Sequence, residues 1–168
     1  MLDHGAPLGG IGFQGHLGSL LTPPVKLLEI LDKFAVFGVP LQVTEFDVDV
    51  ADEQLAADFT RDLITVLFSH PAVNGFVMWG FWEGSHWKPH TAMFRRDWSP
   101  KLNGIAYMDL VCKQWRTDEL LVSDAAGMAA TRGFLGEYEI TASHHGKTVT
   151  VRETLKKDNP VIRVELPI

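Results

Sequence analysis

The run Leu41-Gln-Val-Thr-Glu-Phe-Asp-Val-Asp49 constrains the fold more than any other stretch of the chain. It starts as an apolar strand and delivers Glu45, Asp47 and Asp49 in alternation at its C-terminal end. Side chains two apart on an extended backbone point the same way, so Leu41, Val43, Glu45 and Asp47 are expected on one face. A carboxylate then stands where an apolar side chain would continue the core, and ionised carboxylates are seldom buried without a purpose. In a parallel α/β sheet the C-terminal strand ends carry the chemistry, which makes Glu45 the first catalytic candidate.

The flanking sequence reads as such a sheet. Gly9 to Gly15, around Ile11, Phe13 and Gln14, suggests a short strand leading to a turn at His16. Thr22-Pro23-Pro24 offers an N-cap and a first-turn proline to a helix carrying Leu27, Leu28, Leu31, Phe34 and Ala35 and ending near Gly38. Asp52 opens a second helix, whose Leu55, Phe59, Leu63 and Leu67 form a stripe that stops at His70-Pro71. Gly75-Phe-Val-Met-Trp79 is too short for a helix and apolar on both parities, the pattern of a parallel strand covered on both faces. Ser99-Pro100 is expected to cap a third helix with Ile105, Leu110 and Trp115. This alternation is the α/β pattern.

From about Thr117 the composition changes to short alternating runs, Tyr138-Glu-Ile-Thr-Ala142, Lys147-Thr-Val-Thr-Val151 and Val161-Ile-Arg-Val-Glu-Leu166. The expectation is a small antiparallel β appendage over 117–168 behind an α/β portion over 1–116. The net charge of −6 disfavours nucleic acid and anionic membrane surfaces as partners. No apolar run approaches the ~20 residues of a membrane span, and the opening residues lack the basic and apolar regions of a signal peptide. Cys112 is the single cysteine, which excludes an internal disulfide, and its helical context suggests a small buried hydrophobe. No cofactor or metal is expected. His144-His145 beside Gly146 reads as a solvated turn, and His86-Trp-Lys-Pro-His90 would hold a metal only with outside ligands.

Three segments carry a resemblance. Gly10-Ile-Gly-Phe-Gln-Gly-His16, Val43-Thr-Glu-Phe-Asp47 and Met78-Trp-Gly-Phe-Trp-Glu-Gly-Ser-His-Trp87 resemble, in order, the sixth, seventh and eighth strand motifs of glycoside hydrolase family 10, the endo-β-1,4-xylanases. The resemblance covers roughly residues 5–116 and implies the C-terminal part of a (β/α)8 TIM barrel, strands 6–8 with their helices. Such a barrel takes about 250 residues, so the first five strand–helix units lie outside this sequence, as in a truncated frame or a fragment. Three parallel strands cannot close a barrel, so the expected partners include the missing N-terminal portion or a second copy by self-association.

The resemblance also implies roles. Glu45 resembles the nucleophile of a retaining glycosidase, and His16 would lie between Glu45 and Asp47 as a bonded trio, with Asp47 orienting the ring. Trp79 and Trp87 match two tryptophans that line the substrate site, where indole faces pack on sugar C–H faces. Gln14 would face the same cavity and bond a sugar hydroxyl or Glu45. Glu83 takes a position that is usually acidic and would support the loop or contact a hydroxyl, and Trp82 is a further substrate-binding candidate in the same loop as Phe81 and His86. The acid/base glutamate belongs to a strand-four motif outside this sequence, so the chain by itself is expected to be inactive. The implied substrate is xylan or a related β-1,4-linked polysaccharide, and the implied location is extracellular or periplasmic. Two other readings remain open at this stage: a non-catalytic carbohydrate-binding or β-rich interaction module, and a metal-dependent barrel hydrolase.

Overall fold

A computed structural model, describing residues 5–18 and 20–165, shows strand and helix in alternation followed by a hairpin. The chain divides into two units, Met1–Cys112 and Lys113–Ile168. In the first, β3 (Leu41–Val48) is the central strand. β1 (Ile11–Phe13) and then β2 (His16–Leu17) run along one side of it and β4 (Val73–Met78) along the other, all parallel. The single first strand expected from the sequence is thus two short ones, and His16 is extended rather than in a turn. The break falls at Gly15, which has φ 82°. A Cβ there would stand 2.8 Å from Val43 Cγ1, so the position demands glycine twice over.

Opposite that break, β3 is irregular. Its register with β4 passes from Val43↔Phe76 to Phe46↔Met78, one residue more on β3 than on its partner. The extra residue rephases the strand. Leu41, Val43, Phe46 and Val48 all enter one apolar cluster, with Leu31 of α1 (Pro24–Ala35) and Phe59, Leu63 and Leu67 of α2 (Glu53–Ser69). Strict alternation cannot put residues 41, 43, 46 and 48 on one face. The expectation that Glu45 shares the face of Leu41 and Val43 is therefore corrected: past the bulge Phe46 and Val48 hold the core side, and Glu45 and Asp47 alternate with them. Phe46 is fully buried, a contribution of about 1.5–3 kcal/mol from that side chain.

The helices brace this sheet. Asp52 caps α2 by accepting the Gln54 and Leu55 N–H groups at 2.9 and 3.0 Å, and the helix stops at His70 before Pro71. Two expected caps are corrected. Pro23 holds the N-cap of α1 with no side-chain bond, and α3 (Leu102–Met108) starts after Lys101. Ser99 instead bonds Asp97, while the Lys101 N–H goes to the Met93 carbonyl at 2.8 Å. α3 runs into a π-helical stretch, Asp109–Gln114, whose wider turn shifts the face, and Cys112 is exposed rather than buried. β4 is not covered on both faces either. Among the described residues it pairs with β3 alone, and Val77 is half exposed. No helix among the described residues is long and apolar enough to cross a membrane.

In the second unit β5 (Gly136–His144) pairs antiparallel with β6 (Lys147–Leu155) across a tight turn at His145 and Gly146, both at positive φ. Thr141–Thr150 and Ser143–Thr148 hydroxyl pairs line one face. The third alternating run forms no strand over 161–165, and Leu166 lies outside the described residues. Pro160 lacks the N–H a ladder needs, and Lys156 and Asn159 bond each other in a closed turn just before it.

Candidate active site

The bulge in β3 and the break before β2 face each other, and between them they aim three side chains at one point. His16 is in register with Asp47. Its Nδ1 lies 3.0 Å from Asp47 Oδ1 and its Nε2 lies 3.2 Å from Glu45 Oε2. Backbone bonds fix the frame, with the Glu45 N–H donating to the Gln14 carbonyl at 2.8 Å and the Asp49 N–H to the Leu17 carbonyl at 2.7 Å. Asp47 is 2% exposed, whereas the His16 and Glu45 side chains are each 28% exposed. The outer carboxylate can therefore meet a ligand while the inner one serves the network.

Both oxygens of Asp47 are engaged. Its second oxygen accepts the Trp87 indole N–H at 2.7 Å, so His16 Nδ1 must be the donor on the other side. The Nε2···Oε2 contact then holds a hydrogen bond only with one more proton on the His16–Glu45 pair. The imidazolium form ties down the Glu45 carboxylate, and the neutral form sets lone pair against lone pair. Both indoles border this imidazole edge-on, Trp79 with its ring centre 5.8 Å away and Trp87 at 5.4 Å. The arrangement sets one accessible anionic oxygen, steadied by a ring nitrogen, beside two half-exposed indoles.

The loop after β4 adds members that the sequence reading underrated. His86 is fully buried, with Nε2 3.9 Å from Asp47 Oδ2 and Nδ1 accepting the Lys88 N–H at 3.0 Å. Burial pushes its pKa below the ordinary value, against the opposing pull of Asp47. Asp49 accepts Lys88 Nζ and His90 Nε2, both at 2.6 Å, and those two bonds hold its carboxyl below the usual range. Lys88 also lies over the Trp87 ring at 4.6 Å, so this pair pins the Trp87 wall to the end of β3. The signal was present in the sequence as basic residues of the His86–His90 segment facing the third carboxylate of the 41–49 run.

Three candidates are not brought into this cluster. Among the described residues the Gln14 side chain makes no hydrogen bond, and the link to Glu45 is through the Gln14 backbone carbonyl. Gly15 interrupts the extended run, so parity does not carry from residue 14 to 16. Glu83 is engaged within the loop, accepting the Arg96 N–H at 3.2 Å with Lys101 Nζ at 3.5 Å. Trp82 stacks on Trp98 and donates to the Arg96 carbonyl at 3.3 Å, away from the imidazole. In the same loop Arg95 pairs with Glu53 at 2.8 Å. Among the described residues no three His, Cys, Asp or Glu side chains are grouped to hold a metal ion.

Comparison with known proteins bears on this geometry. The sequence model of glycosyl hydrolase family 10 matches residues 1–109. The chain is 38% identical over 146 residues to anti-sigma-I factor RsgI6 of Acetivibrio thermocellus, covering 86% of this chain and 19% of that protein. It is 32% identical over 167 residues to endo-1,4-beta-xylanase 1 of Arabidopsis thaliana, covering 98% of this chain and 17% of that one. Among solved structures it shares the fold of xylanase 10B from Thermotoga petrophila RKU-1, which was crystallised with xylobiose. The TM-score is 0.59 at 24% identity, over 67% of this chain and 39% of that chain. The chain thus spans less than a fifth of those two relatives and corresponds to part of a TIM barrel. On the span of the family match, the chain belongs to glycosyl hydrolase family 10.

Proposed function

We propose that this chain is the nucleophile-bearing portion of a retaining endo-β-1,4-xylanase-like hydrolase, its catalytic portion being 1–116 and 117–168 a β-rich extension. The observation that carries the reading is His16 bonded on one side to the buried Asp47 and on the other to the half-open Glu45, beside two indoles. Glu45 Oε2 attacks the anomeric carbon of a bound sugar and forms a glycosyl–enzyme ester as the glycosidic oxygen departs. Asp47 fixes the tautomer and plane of His16, and the ring holds Glu45 in line. Trp79 and Trp87 pack against the flat face of the pyranose and exclude water from the developing charge.

The departing oxygen needs a proton from a second carboxyl about 5–5.5 Å from the first, and we assign that group to the part of the barrel outside these 168 residues. Loss of a positioned acid costs ~10²–10⁴-fold, and the missing binding walls cost more, so the chain alone is inactive on xylan. The open strand edges make it dependent on the rest of the barrel or prone to self-association. An extracellular location suits a polysaccharide too large to enter a cell.

Complementation tests the reading. The chain is refolded with strands one to five of a family 10 barrel and assayed for reducing ends released from xylan. Activity that needs both parts and disappears with Glu45→Gln is expected. Hydrolysis by the rigorously pure chain alone, or activity surviving Glu45→Gln, contradicts it. A second reading, carbohydrate recognition without turnover, draws on the similarity to a protein named as an anti-sigma factor. It predicts that the complemented protein binds xylan and cuts nothing.

A further inference from the structure

Away from the imidazole, the loop between β4 and α3 carries a second aromatic arrangement. Trp98 has φ 67°, in the left-handed region that a bulky side chain occupies only at a cost. The turn that holds it is well made. The Trp98 N–H donates to the Arg95 carbonyl at 2.9 Å and the Arg95 N–H to the Ser99 carbonyl at 2.9 Å, and Asp97 accepts both the N–H and the hydroxyl of Ser99. Glycine or asparagine would suit this backbone better. The tryptophan there is nonetheless 57% exposed.

Its ring is not loose. It stacks nearly parallel on Trp82, 12° between planes and 5.4 Å between centres, and Phe81 and Phe94 flank it at 6.2 and 6.4 Å. Trp82 is itself locked by its indole bond to the Arg96 carbonyl and by lying over Gly84, where any Cβ would overlap the ring. A strained backbone thus holds a flat, rigid indole half in water on a preorganised base.

We propose that the Trp82–Trp98 stack is a second sugar platform, taking a pyranose ring of a neutral β-linked glycan outside the Glu45 site. An exposed indole face suits the C–H face of a pyranose, and its rigidity keeps the ordering cost of binding low. The chain charge of −6 argues against a nucleic acid base as the stacked group. The platform belongs to the same loop as part of the candidate site. It shares one loop with Trp79 and Trp87, and Arg95 ties that loop to Glu53 in the first turn of α2, just past the carboxylate end of β3. The proposal rests on the family reading for the class of ligand but requires no turnover.

The test is affinity electrophoresis of the intact chain in native gels containing soluble xylan. Wild type is expected to be retarded. Trp98→Gly removes the indole while suiting the positive φ, so it keeps the fold, checked by near-ultraviolet circular dichroism, and is expected to bind about three- to tenfold more weakly. Trp98→Tyr is expected to restore most of the retardation. Three results overturn the proposal: wild type runs unretarded, Trp98→Gly binds as tightly as wild type, or Trp98→Tyr loses as much as Trp98→Gly. Failure of the hydrolase reading is recorded separately, in the complementation assay, and leaves this gel unchanged.

Discussion

Replacing Asp47 separates a hydrogen-bonded network from mere packing. The carboxylate is 2% exposed and accepts His16 Nδ1 at 3.0 Å and Trp87 Nε1 at 2.7 Å. Bonds to a charged group contribute about 1.5–3 kcal/mol each. Two effects reduce the sum: His16 and Trp87 both have access to water once released, and removal of a buried charge also removes its desolvation cost. Asp47→Ala should therefore destabilise the unit by about 2–3 kcal/mol. Asp47→Asn should cost less than about 1 kcal/mol, because its amide oxygen can accept the indole N–H while its NH₂ donates to a His16 tautomer protonated at Nε2. That tautomer still donates to Glu45. Urea unfolding followed by tryptophan emission measures this well, since Trp79, Trp82, Trp87 and Trp98 all lie in the unit Met1–Cys112. With a slope of about 1–3 kcal/mol/M, the alanine midpoint should fall roughly 0.7–3 M below wild type. Equal midpoints for the alanine and asparagine variants would refute the network argument.

Gly15→Ala meets both a positive φ and Val43 Cγ1, and should cost about 2–4 kcal/mol in the same unfolding assay. His86 is buried with its pKa lowered from 6.5, so the unfolded chain takes up its proton first. Stability should be complete above about pH 6.5 and fall as pH drops from there toward the folded value, and His86→Gln should flatten that slope in pH-dependent unfolding curves. Asp49 has its pKa lowered from 3.8 by Lys88 and His90, so its stabilisation is present above that value and disappears as pH falls below it. Asp49→Asn should remove this acid-side loss, and it should loosen Trp87, seen as a red-shifted emission.

Much of the candidate site was legible because it lies on strands with strong local signals. Asp52 announced α2, and the acidic end of the 41–49 run located the chemistry. Parity failed where the backbone is irregular. The bulge between Val43 and Phe46 and the left-handed Gly15 both change phase, so Glu45 reaches His16 by a route strict alternation does not allow. Bulges leave little trace in composition, since Val43 and Thr44 are ordinary strand residues by type. Trp82 was a further candidate beside Trp87 in the same loop, and stacking on Trp98 with its bond to the Arg96 carbonyl draws it aside. Cys112 was misplaced because a π-helical turn follows α3, and residues 161–165 were misread because alternation by itself does not supply a strand with a partner.

The account turns on Glu45 as the atom donor to the sugar. The direct measurement is trapping of the complemented barrel with a 2-fluoro xylobioside bearing a dinitrophenyl leaving group, which departs without help from an acid, followed by peptide mass spectrometry. A single glycosyl adduct on Glu45, lost in Glu45→Gln and weakened in His16→Ala, is the predicted result. An adduct on any other carboxylate of a protein that is active on xylan would contradict the account.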